Sequence, residues 1–134
     1  MTIISVNSVS QLTSALSKAQ NGDVIQLAAG NYSNVVLSNI KTNGNVTITS
    51  ADPLKQAVLS DLMVKGSSGL TFKNLDLSNT VPGKDFAFQV LGSSNIVLDH
   101  LKVHGPNNIG SGQEVALMMV RSSRAVTVND SEFF

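Results

Sequence analysis

The 134-residue chain carries nine acidic and nine basic residues, so its formal charge is zero, and only 13% of its residues are charged. Without a Lys/Arg cluster a nucleic-acid or anionic-membrane partner is disfavoured, and without cysteine disulfides and thiolate metal sites are excluded. Aromatic residues are 4% and Trp is absent, so a core must come from Val, Ile and Leu, while the abundant Ser, Asn, Thr and Gly suit short strands joined by tight turns.

The N-terminus, Met1-Thr2-Ile3-Ile4-Ser5-Val6, lacks a basic stretch followed by a long apolar run, so it does not read as a secretory signal peptide. No segment approaches the apolar length needed to span a bilayer. Three readings stay open: a cytoplasmic protein, one exported by a route not encoded at this N-terminus, or one whose leader was removed. Next, Val9, Leu12, Leu16 and Ala19 recur at helical spacing and make one apolar stripe. Ser8 and Gln11 have the spacing of a capping box, and Gly22 is placed to cap the C-terminal end.

After this helix the period changes to two. Val24-Ile25-Gln26-Leu27 runs to a turn at Ala29-Gly30-Asn31, and Val35-Val36-Leu37 ends at Ser38-Asn39. Val46-Thr47-Ile48-Thr49 alternates cleanly. Three further segments, starting at Leu62, Phe88 and Met118, align without gaps, and apolar residues fill the same six columns except at Ser131. Leu70, Ile96 and Val126 form one column, continued backwards by Val46; Phe72, Leu98 and Val128 form another. Each unit reads strand, Gly-Ser-Ser-type turn, strand, polar corner, strand. Such a unit buries its inward face only by stacking on the next.

The expected fold is all-β: a right-handed parallel β-helix, or solenoid, behind a short N-terminal capping α-helix. Residues 1–23 form the cap and 24–134 the stacked coils of a single domain. The sequence stops inside the third aligned unit, at Glu132-Phe133-Phe134. Solenoids need a cap at both ends, so the chain is expected to be truncated at its C-terminus and to self-associate through an uncapped last coil.

Ser8 to Tyr32 includes the capped helix, Asn21-Gly22-Asp23-Val24-Ile25-Gln26-Leu27 and Ala29-Gly30-Asn31-Tyr32. This stretch resembles the start of carbohydrate-active β-helix proteins, most of all the chondroitinase B and alginate lyase family. Ser94-Asn95-Ile96-Val97-Leu98 is also similar to repeats of mannuronan epimerases and large secreted β-helix proteins. The resemblance implies a secreted or cell-surface protein acting on an acidic, uronate-containing polysaccharide by lyase- or epimerase-type chemistry. It places the catalytic Lys/Arg pair and the calcium-binding carboxylates in later coils, beyond Phe134. Within this chain no cofactor or metal site is evident. The alternative is a non-catalytic surface, adhesion or spacer β-helix.

Alternation turns Leu62/Val64, Phe88/Val90 and Met118/Val120 inward. Met63, Gln89 and Met119 then form one outward column, and Lys65, Leu91 and Arg121 a second. Lys65 and Arg121 could pair with sugar carboxylates, Arg121 in bidentate fashion; the plainer reading is a solvated cation. Gln89 and Met119 complete the candidate floor. His104 leads into the longest insertion, Gly105-Pro106-Asn107-Asn108-Ile109-Gly110-Ser111-Gly112-Gln113-Glu114, whose shorter counterpart begins at Asn79. Insertions stacked on one corner would build a wall carrying Asn107, Asn108 and Gln113 as binding residues. His104, Glu114 and Arg121 are the group types needed to abstract a proton next to a carboxylate; ordinary polar loop chemistry is the alternative. The columns Asp76, Lys102, Glu132 and Lys73, Asp99, Asn129 suggest ion pairing between coils. Asn74, His100 and Asp130 mark a corner where side chains would satisfy backbone groups.

Overall fold

The computed structural model describes residues 2–32, 35–52, 54–59, 62–78, 88–104, 118–121, 123–129 and 131–133, with the backbone alone at 43, 78, 104, 118–121, 132 and 133. It opens with β1 (Ile3–Val6) and α1 (Val9–Lys18). The amide of Gln11 donates to the Ser8 Oγ at 3.2 Å, and the Gln11 side chain accepts from the Asn7 amide at 2.8 Å. The box therefore closes one residue earlier than its usual form. Leu12 and Leu16 are buried, and Val9, Ala15 and Ala19 pack partly against the core. Gly22 does not cap the helix: Ala19 does, in an extended conformation with its amide on the Leu16 carbonyl. Gly22 instead makes the turn into the next strand, with φ of 89° and its amide on the Asn45 carbonyl at 2.8 Å.

From β2 (Val24–Leu27) the chain runs through three sheets in a fixed rotation. The first circuit is β2, β3 (Asn31–Tyr32) and β4 (Val35–Ser38). The second is β5 (Lys41–Ser50), β6 (Val58–Leu59) and β7 (Leu62–Lys65). The third is β8 (Ser68–Lys73), β9 (Asp76–Ser78) and β10 (Phe88–Leu91). The fourth is β11 (Ser94–Asp99), β12 (Lys102–His104) and β13 (Met118–Arg121), and β14 (Arg124–Asn129) and β15 (Glu132–Phe133) follow. One strand of each circuit adds to a six-stranded sheet, one to a five-stranded sheet and one to a four-stranded sheet. All the sheet pairings are parallel.

The registers are those of the sequence columns: Val46 pairs with Leu70, Leu70 with Ile96 and Ile96 with Val126. Inward residues from all three sheets, among them Ile48, Leu59, Val64, Phe72, Leu77 and Phe88, join one core cluster with Leu12 and Leu16 of α1. Each such side chain contributes roughly 1.5–3 kcal/mol by leaving water. Val128 departs from the expected interior position at 45% exposed, and Val126 is only partly buried. Both sit on β14, the outer strand of its sheet, which has a neighbour on one side only.

The corners explain the small polar residues. Leaving the four-stranded sheet, Asn39, Gly66 and Gly92 adopt φ of 58°, 57° and 55°. Ser67 and Ser93, both buried, follow. The Ile40 amide donates to the Ser67 Oγ at 3.1 Å, and the Ser93 amide to the Ser123 Oγ at 3.1 Å. The Ser67 hydroxyl in turn donates to the Leu37 carbonyl. This serine ladder satisfies backbone groups that the bend takes out of the sheets. Leaving the six-stranded sheet, Asn74 and His100 adopt φ of 53° and 52°. What that column provides is a left-handed backbone, and His100 adopts it as well as Asn does.

Candidate functional site

The outer face of the four-stranded sheet is built from alternation. Val35 and Leu37 of β4 are buried, as are Leu62 and Val64 of β7 and Phe88 and Val90 of β10. The residues between them therefore face outward. Their registers make two columns, Val36–Met63–Gln89 and Ser38–Lys65–Leu91. Neighbours within a column are one strand spacing apart, about 4.8 Å. Lys65 is exposed and Val36 is 50% exposed, while Met63, Gln89 and Leu91 are half-buried. The result is a ledge of apolar and amide surface with a cation at its edge.

Of the residues named for the floor, Met63 lies in register with Gln89 and Lys65 with Leu91, and the backbones of Met119 and Arg121 continue these columns. His104 ends β12 in the five-stranded sheet, opposite Ser78. Asn107, Asn108, Gln113 and Glu114 lie outside the described residues. In chain order residues 79–87 lie between β9 and β10, and residues 105–117 between β12 and β13. Val36 and Ser38 were missed from the columns. Their signal is the inward Val35/Leu37 pair, which matches Leu62/Val64.

The remaining charged columns divide. Lys102 lies in register with Asp76 and Glu132, as the alternating charges suggest. Asp99 lies in register with Lys73, but its carboxylate meets the adjacent His100 Nδ1 at 2.6 Å. The Asn-Gly-Asp turn is structural. Asp23, buried, accepts the Gln20 amide at 2.9 Å and the Thr2 amide at 3.0 Å, tying the helix exit to the first strand. Tyr32 is likewise structural: it is buried, donates to the Ala28 carbonyl at 2.7 Å, and burial pushes its phenol pKa up.

A cleft of about 510 Å3 opens between α1 and β4, with Thr13, Leu16 and Ser17 on one side and Val36, Ser38 and Lys41 on the other. Among the described residues no group of three or more His, Asp and Glu side chains could hold a metal ion, and no helix is long and apolar enough to cross a membrane.

No family model, curated protein or solved structure matches this chain.

Proposed function

We propose that the chain is a right-handed parallel β-helix that binds an acidic, uronate-containing polysaccharide on the outer face of its four-stranded sheet. On this reading it belongs to a secreted or cell-surface protein with lyase- or epimerase-type activity. The supporting observation is that face itself: Met63 stacked on Gln89 in the next strand, with the exposed Lys65 at its edge. Methionine and amide side chains lie well against sugar rings, and a cation at the edge favours a carboxylate. The strict rotation through three parallel sheets supports the β-helix part of the reading.

In lyase and epimerase chemistry a cation neutralises the uronate carboxylate, which acidifies the neighbouring C–H, and a base removes that proton. In a lyase the electrons then expel the glycosidic oxygen; in an epimerase a proton returns from the opposite face. Arg121 or Lys65 would supply the cation, and His104 and Glu114 are the candidate acid/base groups. The test is to incubate the full-length protein with alginate, pectate and chondroitin, following unsaturated product by ultraviolet absorbance and epimerisation by NMR. New product on one polymer supports the reading. No change on any of the three favours a non-catalytic β-helix spacer or adhesion module.

A further inference from the structure

The cleft between α1 and β4 shares residues with the outer face of the four-stranded sheet. Val36 and Ser38 line the cleft and are also the β4 members of the two outward columns. Because β4 is the edge strand of that sheet, the face runs without interruption into the cleft, where α1 forms the opposite side. A volume of about 510 Å3 is within the range of sugar-sized ligand pockets.

The lining chemistry selects the ligand. The Thr13 hydroxyl donates to the Ser10 carbonyl at 3.0 Å, and the Ser17 hydroxyl to the Ser14 carbonyl at 2.7 Å. With their protons committed to the helix backbone, these two oxygens can only accept, and they suit the hydroxyls of a sugar. Leu16 and Val36 supply an apolar surface between them. Among the described residues of the lining Lys41 is the one charged group, with no carboxylate beside it to oppose an anion. We propose that this cleft is an end subsite that takes the terminal acidic sugar unit of a polysaccharide laid along the outer face. The inference rests on the proposed function and adds a place where the bound chain ends.

The experiment is NMR titration of the isotope-labelled full chain with trigalacturonate, and with maltotriose as a neutral control. Trigalacturonate is expected to shift the amides of Ser17, Ser38 and Lys41. Lys41→Gln should weaken this binding roughly tenfold, as loss of a charge-assisted hydrogen bond would. Ser17→Phe, on the exposed side of the helix, should fill the cleft and abolish those shifts, with the rest of the spectrum reporting an intact fold. Shifts confined to Met63, Lys65 and Gln89 would overturn the end subsite and leave the outer-face reading standing. No shift anywhere would overturn both. Equal binding of maltotriose would overturn the acidic ligand class.

Discussion

The backbone amide of Ser67 donates to the side-chain hydroxyl of Ser93, one circuit further along the chain, at 3.2 Å. Both residues are buried, at 2% and 3% exposed, so water cannot replace this bond. Ser93→Ala is expected to cost about 1–3 kcal/mol, because it leaves a buried amide without an acceptor. The neighbouring Ser94→Ala should stay within about 0.5 kcal/mol. Denaturant midpoints compared at equal slope will separate the two; equal midpoints would deny the ladder any weight.

Glycines 69 and 92 should respond differently to the same change. A Cβ on Gly69 would collide with both the Gly44 carbonyl oxygen and the Thr42 Oγ1, at φ of 74°. Gly92, at φ of 55°, would meet nothing within 4 Å. Gly92→Ala should therefore cost about 1 kcal/mol of left-handed strain. Gly69→Ala should add backbone displacement and reach roughly 2–5 kcal/mol. Paired unfolding curves measure the difference.

Ala125 sits at φ of 55°, in the same structural position as Gly69 and Asn95, at 74° and 54°. It has neither glycine's freedom nor asparagine's tolerance for that conformation. Ala125→Gly is expected to stabilise the chain by about 0.5–1 kcal/mol, the relieved strain less the extra chain entropy of glycine. A thermal midpoint that fell would contradict the strained backbone.

The single tyrosine gives an alkaline test. Burial raises the Tyr32 pKa, so the folded chain holds the phenol proton more tightly than the unfolded chain does. That stabilisation is complete below the unfolded phenol's pKa, about 10, and is lost as pH rises through the higher folded value. Tyrosinate absorbance should titrate later in the native protein than in denaturant. Tyr32→Phe should cost about 1 kcal/mol at neutral pH and flatten the alkaline loss of stability. Identical titrations in the two states would refute the shift.

Two exposed lysines on different sheets distinguish the faces. Lys65→Ala and Lys102→Ala should each change stability by less than about 0.5 kcal/mol. Affinity for trigalacturonate should fall several-fold for Lys65→Ala alone, with Arg121→Ala behaving like Lys65→Ala. A loss at Lys102 with none at Lys65 or Arg121 would move the binding face to the five-stranded sheet.

The strands and their registers were readable in the sequence because alternation has period two and the columns repeat without gaps. Leu70, Ile96 and Val126 needed no tertiary information to be aligned. The helix start was readable too, since Ser8 and Gln11 interact locally. Its end was not: Gly22 has the left-handed φ a cap would use, but a long-range bond to Asn45 recruits it to a different turn. Val128 followed its column, yet exposure depends on having a strand on either side, which no column encodes. The outer face was legible as far as Met63, Lys65 and Gln89. The α1 cleft was not, because it joins residues whose proximity depends on how the helix lies against β4.

Every strand within the three sheets has as neighbours only the strands one circuit before and after it. Cooperativity in such a stack is local and passes from layer to layer. Order is lost or gained one circuit at a time, and β5 and β8 each hold partners on both sides. Among the described strands, the path through the sheet from the α1 cleft to β13 runs by way of β7 and β10. Within the described strands order is thus conducted along one dimension, and a single weakened layer sets its range.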